Sequence, residues 1–260
     1  MALLFPVLVA RALEKELKRP DEFVTFWTKL GQAISAHRGK VAALAVVVAL
    51  GVGAVWGVTI YRRSKAAKAT LAFERIDRIA NADLLPAKDA DDTGKATMEE
   101  DDGIPHAKTE SERLTAANQA ADAYLAVFGS AGLGRKVLFD KAGRLLVLGA
   151  PGQAEQIYQD LAGSEPDHDL GLLEREGVAL ALEAEGKLDD ALRAFASLAE
   201  ECQAGTKFYL DRAWYGQARI LERQGKGKDA AKILREILEK VPKTDLRTQI
   251  DDRLALASEK

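Results

Sequence analysis

The chain has 260 residues and a formal net charge of −3, enough for one large domain or two small ones and without the concentrated basic face that binding a nucleic acid duplex requires. Its three histidines, at 37, 106 and 168, lie far apart, and Cys202 is its one cysteine. That inventory excludes a Cys–His zinc site and an intramolecular disulfide, and no cofactor or metal is expected.

The opening run MALLFPVLVA is apolar but too short to cross a bilayer, and Pro6 interrupts it. No Lys or Arg precedes it and no small-residue cleavage site follows, so it reads as an amphipathic or disordered leader and not as a signal peptide. Residues 19–40 predict a short helix with Asp21 as N-cap and Phe23, Phe26, Trp27, Leu30 and Ile34 on one face. Such a stripe suits a membrane surface or a partner protein equally.

Residues 41–60, VAALAVVVALGVGAVWGVTI, carry no charge; as a helix they span roughly 30 Å, the thickness of a bilayer's hydrocarbon core. Lys40 closes the run on one side and Tyr61-Arg62-Arg63 on the other, with Trp56 and Tyr61 where an interfacial aromatic belt falls. Residues 41–61 are therefore expected to form a transmembrane helix. Ala45, Ala49, Gly53 and Gly57 recur every four residues, a stripe of small side chains on which another helix can pack closely. Within twenty residues of the run, three basic residues precede it (Lys29, Arg38, Lys40) and six follow it (Arg62, Arg63, Lys65, Lys68, Arg75, Arg78). Taken alone, that bias places the following chain in the cytoplasm, although long domains translocate largely regardless of charge.

From Ser64 the chain turns charged and Ala-rich, predicting a helix with Leu71, Ile76, Ile79, Leu84 and Leu85 as its apolar residues and Pro86 as its stop. Residues 87–110 have almost no large apolar side chain and seven carboxylates between 89 and 102. They predict a flexible acidic loop, because they cannot bury enough surface to offset their ordering entropy. The order of those carboxylates lacks the alternation and fixed Gly of a calcium loop.

GSAGLGRK, residues 129–136, has the glycine spacing of a phosphate-binding loop. Such a loop needs a strand before its first Gly and Gly-Lys-Ser/Thr at its end. Here the helical pattern ERLTAANQAADAYLAVF precedes it and Arg135 follows Gly134, so it predicts a helix end and a corner. The helix at 110–128 is expected to pair with that at 64–85 as a degenerate first hairpin.

Beyond this corner the sequence repeats. GAPGQA, GKLDDA and GKGKDA place a Gly five residues before Ala154, Ala191 and Ala230, and a second Ala seven residues before each Gly, at Ala142, Ala179 and Ala218. A large apolar residue, Tyr158, Phe195 or Leu234, stands four after the later Ala. This pattern resembles the tetratricopeptide repeat, a helix–turn–helix unit whose two small residues let paired helices approach closely. The units run 135–168, 172–205 and 211–244. Trp214 holds the aromatic position of the last unit, while Leu138 and Arg175 stand there in the others, and Arg175 predicts looser packing in the middle unit. Residues 244–260, with Leu246, Ile250, Leu254 and Ala257 on one stripe, read as a capping helix.

The resulting fold class is all-α, a single N-terminal transmembrane helix followed by a tetratricopeptide-repeat-like α-solenoid. Its expected domains are 1–40 (leader and amphipathic helix), 41–61 (transmembrane helix), 62–134 (linker helix, acidic loop and degenerate hairpin) and 135–260 (three repeats and cap). No nucleophile–base–orienter set emerges, and Glu174, Glu176, Glu183 and Glu185, set among Arg and Lys, read as a solvated helix face, so no enzyme is expected. Helical repeats offer a surface for other proteins. The expected groove is lined by Lys136, Phe139, Leu173, Glu176, Leu180, Arg212, Tyr215 and Arg219. A Lys/Asn clamp for chaperone tails is disfavoured, because Phe139, Gly143, Gly177 and Gly216 fill its positions and only Arg212 keeps a suitable charge.

One anchor, a basic helix and a repeat domain together resemble the YfgM-type ancillary subunits of the bacterial protein translocon, over about residues 20–260. The resemblance rests on layout and repeat class. It implies an inner-membrane protein with periplasmic repeats, working beside the secretion channel and envelope chaperones. No nucleic-acid or small-molecule partner is expected. The acidic insert at 87–110 departs from that layout. The alternative is a membrane-tethered scaffold of another envelope machine, such as outer-membrane assembly or motility.

Overall fold

The computed structural model describes residues 22–85, 104–105, 107–164, 168–205 and 209–258. The apolar leader and most of the acidic segment read as a flexible loop lie outside the described residues. Among those described, ten helices and no strand form. The chain divides into two compact units, one ending at Ala66 and one running from Ala67 to Lys260.

The first unit holds α1 (Glu22–Ala36) and the start of α2 (Arg38–Ala80). On α1 the rings of Phe26 and Trp27 meet edge to face, 5.6 Å apart, and both remain exposed. The apolar stretch of α2 is long and apolar enough to cross a membrane, and none of it is buried by protein. Its one hydroxyl, Thr59, donates back to the Val55 carbonyl at 2.7 Å, so the helix satisfies that hydroxyl within its own backbone.

The sequence predicts a helix stop at Pro86; α2 instead ends at Ala80. Asn81 turns the chain there, its Nδ2 donating to the Asp77 carbonyl (2.9 Å) and to Asp77 Oδ1 (3.1 Å). Leu84 and Leu85 follow outside any helix, exposed, with the Leu85 N–H donating to the Ala107 carbonyl at 3.0 Å.

In the second unit, Ile76 of α2 packs with Ala121 and Tyr124 of α3 (Glu110–Phe128) and Val137 of α4 (Leu133–Val147). Thr109 caps α3, its hydroxyl accepting from the Glu112 N–H at 3.2 Å. The GSAGLGRK segment is the corner from α3 to α4. Gly129 and Gly132 adopt φ of 81° and 59°, and a Cβ on Gly134 would fall 2.1 Å from the Gly129 carbonyl oxygen.

Three hairpins follow: α4 with α5 (Pro151–Gly163), α6 (His168–Ala184) with α7 (Leu188–Ala204), and α8 (Leu210–Arg223) with α9 (Gly227–Lys240). Each first helix stops the same way. Gly149, Gly186 and Gly225 take φ of 73°, 78° and 77°, and the next residue's N–H bonds back to Leu145, Leu182 or Leu221. This paired closure is the Schellman motif, which only Gly enters without steric cost.

The alanines of the repeat, Ala142, Ala154, Ala179, Ala191, Ala218 and Ala230, are all buried where the paired helices cross. The large apolar residue after each second alanine then reaches the next unit. Tyr158 presses on Gly177 and Phe195 on Gly216, so close that an added Cβ would meet the rings at 2.5 and 2.4 Å. Leu234, the third residue of that series, is fully buried in the cluster that holds Ile250 of α10 (Arg247–Ser258), the terminal helix. The middle unit is not loosened by Arg175, contrary to the sequence expectation. Arg175 Nη1 pairs with Glu201 Oε1 of α7 at 3.0 Å, and Ala179 and Ala181 on the same helix are fully buried.

Candidate functional site

The first helices α4, α6 and α8 carry the eight residues expected to line a groove, and the structure groups them into stations. Phe139 lies against Tyr158, edge to face with centroids 5.4 Å apart. Lys136 is exposed, pairs with Asp140 at 2.9 Å and stands 5.6 Å from the Phe73 ring centre. Leu173 is half-buried on α6, and Leu180 packs against the cluster of Ala179, Leu182, Ala191 and Phe195. Glu176 meets Arg212 at 3.2 Å, and the Tyr209 hydroxyl donates to Glu176 Oε2 at 2.9 Å. Tyr215 accepts from Arg253 Nε at 2.8 Å, and Arg219 meets Glu183 at 2.5 Å.

The carboxylates on α6 correct the sequence reading. Glu174, Glu176 and Glu183 are not a solvated face; they are buried, Glu174 to 1% exposure. Each is held by an arginine from a neighbouring first helix. Arg135 of α4 grips Glu174 through Nε (2.8 Å) and Nη2 (2.5 Å), a two-point pair that matches carboxylate geometry. Arg219 and Arg223 of α8 hold Glu183, and Arg253 of α10 pairs with Glu222 of α8. The ladder α4–α6–α8–α10 is thus tied by charge along its length. Only Glu185 of the four stays partly open, paired with Lys187 at 2.5 Å.

Part of this ladder had a legible signal. Glu183 and Glu222 both stand four residues after the small residue and three before the turn glycine of their units. Their partners lie in the next first helix, so they emerge only once the repeat register is known. In the Arg212–Glu176, Arg219–Glu183 and Arg223–Glu183 pairs the guanidinium is the more exposed member (51% against 11% for the first), so the face presents arginine edges above sunken carboxylates. A guanidinium has more donors than one carboxylate can use.

Burial pushes the Tyr158 hydroxyl up to about 12, with Asp140 and Glu176 adding to it. Burial likewise raises Tyr209, again beside Glu176. Cys202 is 2% exposed and its thiol is pushed up by burial, which suits an inert core residue. Among the described residues no group of three or more His, Cys, Asp or Glu could hold a metal ion. On α2, Ala49, Gly53 and Gly57 are exposed, and a Cβ added to either glycine meets nothing within 4 Å. Ala45 lies in the same helix, its side chain outside what the structure describes.

Residues 212–244, which cover most of α8 and all of α9, match the family model described as Tetratricopeptide repeat. No curated protein and no solved structure gives a significant match to the chain. The fold, its turn chemistry and this match define the class: a tetratricopeptide-repeat-like α-solenoid in a chain that also carries one long apolar N-terminal helix. Repeats of this class serve as protein-interaction modules.

Proposed function

We propose that this chain is a membrane-tethered protein-binding module, an accessory subunit of the bacterial protein translocon or of its periplasmic chaperone network. Residues 41–61 cross the inner membrane once, residues 1–40 and 62–134 flank the crossing, and residues 135–260 form the binding domain in the periplasm. The protein has no catalytic step and takes no cofactor, nucleic acid or small-molecule substrate. Ala45, Ala49, Gly53 and Gly57 offer a second contact, to a membrane helix of the partner.

The observation that carries the reading is the arginine-edged face of the first helices, held rigid by buried carboxylates, in a chain that also bears an exposed apolar helix. A preorganised face loses little freedom when a partner docks. The layout of anchor, basic helix and repeats supports the translocon over other envelope machines. Affinity isolation of the full chain in mild detergent tests it. Translocon subunits or envelope chaperones should co-purify with the native protein, and reversing the exposed charges of Lys136 and Arg212 to Glu should reduce their recovery at least tenfold. Recovery of the same partners by both proteins would refute the groove, and recovery of outer-membrane assembly or motility proteins would refute the translocon assignment.

A further inference from the structure

The charge distribution around the apolar run of α2 is one-sided. Between Glu22 and Glu74 the sequence has no Asp or Glu and seven Lys or Arg. Five of these bracket the apolar run within the first unit: Arg38 and Lys40 on one side, Arg62, Arg63 and Lys65 on the other. All five are exposed, and among the described residues none has an ion-pair partner. The sequence explains why. Helical ion pairs need a carboxylate three or four residues away, and the first one after Lys65 is Glu74.

The helix fixes the heights of these charges. From Lys40 to Arg62 the unbroken α2 rises roughly 33 Å, slightly more than a bilayer's hydrocarbon core, so the two basic ends fall at the two headgroup layers. Arg62, Arg63 and Lys65 lie within a single turn, and the 100° step between residues spreads them over about half the circumference. Trp56 and Tyr61, both exposed, sit at the same end, where amphipathic rings settle at the lipid interface. An acidic patch on a protein partner would explain one basic end; it would not explain cations at both ends, spaced to the apolar band.

We propose that Arg62, Arg63 and Lys65, with Arg38 and Lys40 opposite, form two collars that bind the headgroup phosphates of anionic phospholipids. The proposal rests on the reading of residues 41–61 as a membrane crossing. The guanidinium groups of Arg62 and Arg63 can each take a phosphate through two hydrogen bonds, while Lys65 acts as a point charge.

The test uses the full chain reconstituted in phosphatidylcholine bilayers with trace spin-labelled phosphatidylglycerol or phosphatidylcholine. The readout is the motionally restricted lipid at the protein surface. Wild type should prefer phosphatidylglycerol, by about fivefold for each cation engaged at low ionic strength. The preference should collapse toward unity in R62Q/R63Q/K65Q, and in wild type at ~1 M salt, where screening acts within about 3 Å. Unchanged restriction of phosphatidylcholine in the triple variant shows that it still inserts, and R62K/R63K should keep most of the preference. Restricted lipid with no headgroup preference in wild type, or a preference that ignores both the substitutions and salt, overturns the collars and leaves the crossing in place. No restricted lipid with either probe overturns the crossing and the collars together.

Discussion

Glu174 shows what holds the first-helix face together. Its carboxylate is almost fully buried and receives two hydrogen bonds from Arg135, whose third nitrogen donates to Ser164. A buried ion pair adds little net stability, but removing one partner strands the other charge. Arg135→Ala should therefore lower unfolding free energy by about 3–5 kcal/mol, while Arg135→Met with Glu174→Leu should recover most of that loss. Denaturant unfolding of the full chain in detergent measures both, and equal stability of Arg135→Ala and wild type would contradict the ladder. Tyr158 gives a pH signature. Its hydroxyl titrates near 10.0 when free and at about 12 in the fold, so between those values the folded state binds more protons than the unfolded one and stability falls as pH rises. Below pH 10 that contribution is fully present. The stability difference between wild type and Tyr158→Phe should shift against wild type above pH 10, and a difference independent of pH would place the hydroxyl in water.

At the scale of elements, the repeats were legible because their signal is steric. A turn that closes at positive φ demands Gly, and a close helix crossing demands Ala, so both leave a fixed spacing in the sequence. Ala191→Leu adds three carbons at a fully buried crossing of the middle hairpin and should cost about 1–3 kcal/mol of stability. An unchanged melting midpoint would show that the crossing lies elsewhere. The end of α2 was misread, because Pro86 is a strong stop signal while the Asn81 side chain that closes the helix earlier is a weak one. Arg175 was misread for a related reason. A charged residue at an aromatic position suggests a gap, yet a long side chain can lie along the surface and pair with Glu201 on the adjacent helix. The buried carboxylates of α6 were hidden more deeply, since a single-helix view sees only charged residues at helical spacing and their partners lie 36 to 40 residues away.

The whole molecule joins two kinds of surface in one chain. Composition alone exposed the apolar helix, since an uncharged run of its length is a property of the sequence and not of packing. Which face meets a partner was less legible, because groove residues share types with any helix surface and only the ladder distinguishes them. The proposed function puts this face at a membrane, on the periplasmic side. Cys202 cannot report the side, being buried. In-cell photo-crosslinking from the full chain can report side and face together, with the photoreactive residue placed at Lys136 on α4 or, as a control, at Lys232 on α9, both exposed. On the proposed function the Lys136 probe captures a translocon subunit or periplasmic chaperone, in a membrane fraction that resists alkaline extraction, and the Lys232 probe does not. Capture of cytoplasmic proteins only, equal capture from both positions, or release of the chain at alkaline pH would contradict it.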